Sequence, residues 1–315
     1  MKNIIVTGGL GFIGSNFINY ISKIYPTIEK IINLDKIDYC SSHDNILTDQ
    51  NYKFIEFDIS KQDILNILFE NNIDTIFHFA AETHVDKSYE NPIPFINTNI
   101  IGTFLLLEAV RKYNKLDIFF HISTDEVYGD RKTFFENDYL EPTNPYSASK
   151  ASAEMFINCY SHSYGIRYKM IRMNNVYGPN QYIDKLIPKT IFNFLNGKKM
   201  SVHGQGLVNR TFIYIEDAIR AILTIYEKGS VNEVYNIGSI NKITVIDMIT
   251  KIFKILNIQD NIDNYLIYTK DRPYNDLNYD INCDKLINIG WYENILLDDG
   301  LTYTVNFIKK RYFDK

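Results

Sequence analysis

Two short stretches hold side chains whose types and spacing suit proton chemistry. In Ser123-Thr124-Asp125-Glu126-Val127-Tyr128-Gly129 a hydroxyl precedes two adjacent carboxyls. In Tyr146-Ser147-Ala148-Ser149-Lys150 a phenol and an amine stand four residues apart, which puts them on one face of a helix. A tyrosine beside a lysine cation can be held near its phenolate form and so act as a base. Two neighbouring carboxyls can serve as acid and base when their protonation states differ.

The elements that must position these groups follow from the flanking residues. Ile118-Phe119-Phe120-His121-Ile122 is an apolar run that reads as a buried strand. Strand ends in an open parallel sheet are where ligands sit, so Thr124, Asp125 and Glu126 would emerge into that crevice. Pro142-Thr143-Asn144-Pro145 precedes a helical pattern running from Tyr146 through Tyr160.

At the start of the chain, Lys2 to Thr7 is a short apolar strand, and Ser15 to Ser22 looks helical. Between them, Gly8, Gly11 and Gly14 allow a tight turn, close approach to a pyrophosphate and close helix–strand packing. Ile31 to Asp35 is the next strand. Asp35 lies where an acid hydrogen-bonds the adenosine ribose and repels a 2′-phosphate, which favours NAD over NADP. A third strand, Tyr52 to Phe57, ends at Asp58-Ile59, an expected adenine contact. A fourth, Ile73 to Phe79, ends in Ala80-Ala81-Glu82-Thr83-His84-Val85-Asp86, whose alanines let a cofactor lie close to the backbone. His78 and His121 lie inside apolar strands and read as core histidines. With no Cys/His/Asp cluster at ligand spacing, no metal is expected.

Asn97 to Tyr113 and Tyr146 to Tyr160 read as long helices, apolar on more than one face. One side would cover the sheet; a second subunit or a later part of the chain would cover the other. Tyr168 to Met173 is a sixth strand, leading to Asn174-Asn175-Val176-Tyr177-Gly178-Pro179. Asp184-Lys185-Leu186-Ile187-Pro188 opens a helix through Leu195, and Val231 to Gly238 looks like another strand. Arg210 and Arg272 are candidate clamps for a diphosphate, or else surface ion-pair partners. The strand–helix alternation predicts an α/β fold, a doubly wound parallel Rossmann sheet with a smaller C-terminal α/β substrate lobe. Residues 1–176, with returning segments near 207–238, would form the NAD-binding domain, and 177–206 with 239–315 the substrate-binding lobe.

Bulk properties narrow the class. The 315 residues are 45% hydrophobic and 23% charged, with net charge −5 and no basic block, so nucleic acid is not an expected partner. No uninterrupted apolar run is long enough for a bilayer, and no membrane partner is expected. Cys40, Cys159 and Cys283 are far apart, and the N-terminus has no signal-peptide layout. A reducing cytoplasm is the expected location.

The glycine turn, Asp35, the Ala-Ala-Glu-Thr-His-Val-Asp run and the Tyr-x-x-x-Lys pair together resemble an extended short-chain dehydrogenase/reductase. Ser-Thr-Asp-Glu-Val-Tyr-Gly narrows the resemblance to nucleotide-sugar 4,6-dehydratases that act on dTDP- or UDP-glucose, over nearly the full chain. That resemblance implies an NAD-dependent hydro-lyase of 6-deoxysugar (rhamnose-type) biosynthesis, homodimeric through a four-helix bundle. It implies Tyr146 as base at the C4 hydroxyl, and Lys150 holding the tyrosine pKa down and binding the nicotinamide ribose. Thr124 would bond near O4, Glu126 would take the C5 proton, and a protonated Asp125 would donate to the departing C6 hydroxyl. It further implies cofactor contacts from Phe12, Ile13, Lys36, Asp58, Ile59, Ala80, Ala81, Thr83 and Thr98. Thr83, Asn175, Lys185, Leu186, Val202, His203, Arg210, Arg272 and Asn275 would form the nucleotide-sugar site.

The chain departs from the family pattern at several points. Asp271-Arg272-Pro273-Tyr274-Asn275-Asp276 stands where the family has Asp-Arg-Pro-Gly-His-Asp, and His203 where it often has tyrosine. These departures leave both uridine and thymidine nucleotides open. They also leave open a UDP-N-acetylglucosamine 4,6-dehydratase, with or without 5-epimerisation. A 4-epimerase would lack the Asp-Glu pair. A non-catalytic NAD-binding protein would have a broken Tyr/Lys or Thr-Asp-Glu set.

Overall fold

Seven parallel strands carry the catalytic stretches, in a computed structural model that describes residues 1–130, 133–270 and 280–314. The chain enters in β1 (Asn3–Thr7), turns through the glycines, and returns in α1 (Phe12–Ile24) to β2 (Lys30–Asp35) and β3 (Tyr52–Glu56). Next come α2 (Leu65–Asn71), β4 (Thr75–His78), α3 (Val85–Glu90) and α4 (Ile93–Phe95). α4 runs through a wider π turn over Ile96–Gly102 into α5 (Thr103–Tyr113). β5 (Ile118–Thr124), α6 (Pro145–Tyr164) and β6 (Tyr168–Met173) follow.

The later part adds β7 (Asn175–Tyr177), α7 (Leu186–Leu195), β8 (Met200–His203), β9 (Asn209–Tyr214), α8 (Ile215–Lys228) and β10 (Glu233–Ile237). Then come β11 (Lys242–Thr244), α9 (Val245–Ile255), β12 (Leu266–Thr269), α10 (Asp284–Ile287) and α11 (Leu297–Tyr312).

The large sheet has the order β10-β6-β5-β4-β1-β2-β3. β1 pairs with β2 on one side and β4 on the other, so the order reverses there and a crevice opens beyond the strand ends. β5 is buried along its whole length, as a strand covered on both faces must be. A second sheet runs β11-β9-β7, and β12 pairs with β8. One face of the large sheet packs Ile4, Val6 and Phe120 into an apolar cluster that continues through Ile187, Ile252 and Leu301. The other packs Ile5 and Phe119 against Leu106 and Ile157.

α6 starts where Asn144 caps it. Its side chain accepts from the Ser147 N–H at 2.8 Å, while the Ser147 hydroxyl accepts from the Asn144 N–H at 3.2 Å. Gly165, at φ +71°, ends the helix. α5 and α6 bury Leu106, Leu107, Ile157 and Tyr160 inward, while Ile96 and Ile101 of the π turn before α5 and Met155 and Phe156 of α6 are exposed. Of the two covers expected for that side, a later part of the described chain is not the one present. The continuous helix Ile93–Tyr113 is also long and apolar enough to cross a membrane, and half of its most apolar window is buried inside the protein.

Candidate active site

The ends of β1, β2, β4, β5 and β6 surround one cleft. On its cofactor side lie Gly8, Gly11, Phe12, Ile13, Gly14, Asp35, Lys36, Ile59, Ala80, Ala81, Thr83 and Thr98. Gly8 has φ +70°, and a Cβ there would lie 2.7 Å from the Ala80 backbone. A Cβ on Gly14 would meet the Gly8 carbonyl oxygen at 2.5 Å. No side chain caps α1, which leaves its first N–H groups for an anion. Asp35 is held by the Leu10 N–H at 3.0 Å, the Ile37 N–H at 2.9 Å and the Ser41 hydroxyl at 2.9 Å. These residues fit a dinucleotide. Asp58 lies in an adjoining pocket with Lys36, Asp38 and Phe57, where it accepts from Ser60 and pairs with Lys61 at 3.1 Å. Lys36 pairs with Glu82 at 2.7 Å and Asp38 at 3.0 Å; burial opposes its charge, yet these carboxylates hold its pKa above the usual value.

Thr124, Asp125, Glu126, Tyr146 and Lys150 all line the same cleft. β5 ends at Thr124, whose hydroxyl accepts from the Glu126 N–H at 3.3 Å and caps a 3-10 turn over Asp125–Tyr128. Asp125 is buried. Its Oδ1 accepts from the Thr124 hydroxyl at 3.1 Å and its Oδ2 from Asn174 Nδ2 at 2.6 Å. Burial, then the charge of Glu126, pushes its pKa up to about 7, against the pull of Asn174, Thr124 and Arg210. Glu126 accepts from Asn144 Nδ2 at 3.0 Å, so the residue that caps α6 also holds this carboxylate.

The tyrosine–lysine pair differs from the sequence expectation. Burial and then the Glu126 charge raise the Tyr146 pKa, while the Thr124 hydroxyl opposes them. Lys150 Nζ donates to the Ile122 carbonyl at 2.7 Å and lies 3.4 Å from His121 Nε2. Burial lowers its pKa to about 8, with Glu154 opposing. The ammonium is engaged by the β5 backbone, and the phenol stays neutral in the protein by itself. His78 is hydrogen-bonded to Thr7 at 2.7 Å and Thr103 at 3.0 Å, and burial drives its pKa down to about 3, as for a core histidine. Among the described residues no cluster of three or more His, Cys, Asp or Glu is arranged to hold a metal.

On the remaining wall lie Asn175, Gln181, Tyr182, Asp184 and Lys185, with Lys185 Nζ reaching across to donate to the Thr83 carbonyl at 3.3 Å. Several residues expected here lie elsewhere. Val202 is 1% exposed and belongs to the apolar core, so its side chain has no route to a ligand. Leu186 packs against the same core, and His203 is exposed beside the Lys270 carbonyl at 3.3 Å. Arg210 does not line the cleft, although its charge acts on Asp125. Arg272 and Asn275 lie outside the described residues. Sequence reasoning missed Asn144 and Asn174. The first carried a signal, an Asn-Pro step three residues before a serine at a helix start. The second carried none, because its partner is far away in the chain.

The model of the GDP-mannose 4,6 dehydratase family matches residues 5–304. A trifunctional Arabidopsis thaliana protein, named UDP-glucose 4,6-dehydratase/UDP-4-keto-6-deoxy-D-glucose 3,5-epimerase/UDP-4-keto-L-rhamnose-reductase, is 43% identical over 97% of this chain and 47% of its own length. The chain thus spans about half the length of the first curated relatives it matches. The Homo sapiens dTDP-D-glucose 4,6-dehydratase is 38% identical over 99% of this chain and 91% of its own. In shape, the dTDP-glucose 4,6-dehydratase of Bacillus anthracis, solved in complex with NAD, superposes with a TM-score of 0.89. It is 37% identical, over 99% of this chain and 98% of its own. Because the family pattern runs unbroken from the strand before the glycine turn into the last helix, the chain belongs to the GDP-mannose 4,6 dehydratase family.

Proposed function

We propose that this protein is an NAD-dependent nucleotide-sugar 4,6-dehydratase that converts UDP- or dTDP-glucose to the 4-keto-6-deoxyhexose and water. The observation that carries the reading is the carboxyl pair: Asp125, held as an acid near neutrality, beside the charged Glu126 in the cleft that holds Tyr146. NAD, held by the glycine turn and Asp35, would supply the hydride acceptor for C4 and the hydride donor for C6. Tyr146 takes the C4 hydroxyl proton, with the Thr124 hydroxyl beside it. Lys150, one turn along α6, is the cation that favours the phenolate. Burial and the Glu126 charge oppose that form. The C4 ketone acidifies C5–H, Glu126 removes that proton, and Asp125 protonates the C6 hydroxyl as its C–O bond breaks. One water leaves, a proton returns to C5, and the cofactor is regenerated.

The family resemblance and the names of the relatives support this reading, with a 6-deoxysugar as the end product. The outward apolar side chains of α5 and α6 support a homodimer, and three free cysteines support a reducing cytoplasm. The test is mass spectrometry of products from UDP-glucose, dTDP-glucose and UDP-N-acetylglucosamine. Loss of one water from a glucose nucleotide is expected. A C4 epimer of unchanged mass, or no product from any of the three, would overturn the proposal.

A further inference from the structure

Asn174 occupies the first position after β6 and is 4% exposed. Its backbone N–H donates to the Ile237 carbonyl at 3.0 Å, which fixes it to the end of β10. Its side-chain oxygen lies beside Gly238, where an added Cβ would approach it to 2.7 Å, so the glycine makes the room this amide occupies. From this fixed place Nδ2 donates to Asp125 Oδ2 at 2.6 Å. The other oxygen, Oδ1, lies 3.1 Å from the Thr124 hydroxyl, which itself lines the cleft.

We propose that Asn174 is a positioning residue for the acid, holding Oδ2 of Asp125 so that Oδ1 carries the proton toward the substrate. An amide N–H needs an oxygen lone pair, and the unprotonated oxygen of a neutral carboxyl is the better acceptor. The Asn174 N–H can only donate, whereas the Thr124 hydroxyl at Oδ1 is a rotor that accepts as well as donates, so the proton falls to Oδ1. The step is a transfer of that proton to the leaving C6 oxygen as the C6–O bond breaks, and it leaves Asp125 as carboxylate with the Asn174 bond still made. The other charged or titratable groups acting on Asp125 are Glu126 in the same turn, Arg210 from β9 and Tyr146 from α6. The inference rests on the dehydratase reading, since oxidation at C4 alone has no use for an oriented acid.

The test is Asn174→Leu, which keeps the branched outline at slightly larger volume and removes the donor, with Asn174→Asp as a second variant that keeps the shape. Oxidation at C4 is read as a burst of reduced-cofactor absorbance, and elimination as product formation. In Asn174→Leu the burst is expected within about threefold of native while elimination slows about 100-fold. Reduced cofactor then accumulates. The falling limb of the elimination pH profile should move to higher pH, because a donor to the carboxylate is gone. In Asn174→Asp that limb should move further up, since a second carboxyl faces the first. Equal slowing of both steps, or a limb that stays put, overturns the role of Asn174; if the Leu variant does not fold, the limb in the Asp variant decides. If native protein makes no 4-keto-6-deoxy product, the dehydratase reading fails first; if it does and both variants behave as native, only the role of Asn174 fails.

Discussion

Asp125 binds its proton more tightly folded than unfolded, and this links its chemistry to stability. Its pKa stands at about 7 against an ordinary carboxyl value near 4. Between those values the folded state holds the extra proton, so the contribution of Asp125 to stability is fully present below about pH 4 and is lost as pH rises through about 7. The full change amounts to about 4 kcal/mol at most. Asp125→Asn keeps the shape and removes the titration. Its melting temperature relative to native should therefore be higher at pH 8 than at pH 5; a difference that does not change with pH would refute the buried neutral acid. The same variant should slow elimination by about 100-fold or more. Spacing alone pointed to Thr124, Asp125, Glu126, Tyr146 and Lys150, and these side chains share one cleft. Their protonation was not legible. The tyrosine pKa is set by burial and by Glu126, which a Tyr-x-x-x-Lys pattern does not encode. Asn174 acts on a residue 49 positions away, beyond the reach of any local motif.

Among the elements, α6 joins folding to chemistry through one residue. Asn144 caps the helix with its oxygen and holds Glu126 with its nitrogen. Asn144→Ala loses both and should cost about 1 kcal/mol. Asn144→Asp keeps a good cap but sets a carboxylate against Glu126. It should be more stable than the alanine variant, yet its elimination activity should need higher pH than either native or alanine, because a like charge raises the pKa of the base. Denaturant melts and pH–rate profiles of the three proteins separate the two roles; identical profiles would show that the nitrogen does nothing to Glu126. Elements with a clear period were legible. β6 was read from Tyr168 to Met173, the bounds it has. α8 was not read, although Ile215, Ala218, Ile219, Ile222 and Ile225 are buried at helical spacing. No side chain caps its start, and isoleucine is so frequent in this chain that its recurrence discriminates poorly.

At the scale of the molecule, the irregular later part of the sequence hid a continuous core. β10 returns to the edge of the large sheet beside β6, and apolar side chains from α7, α9 and α11 share one cluster with β1 and β5. Such a core depends on contacts between distant segments, and sequence period carries none of them. The outer side of α5 and α6 was legible as apolar, but its cover was not. Met155 is 61% exposed and Phe156 36%, with Ile96 and Ile101 each at 41%, on helices whose inner sides are already buried against the sheet. Exposed apolar side chains grouped on two packed helices mark an interaction site. A second copy presenting the same helices would cover it with a self-complementary four-helix contact. Light scattering of native protein should give twice the chain mass. Met155→Glu places a charge from each copy in that contact and should shift the protein toward monomer. Met155 is solvent-exposed and outside the cleft, so the variant should keep its fold and its burst of C4 oxidation. A native monomer would refute the dimer, and a Met155→Glu protein that stays dimeric would place the interface elsewhere.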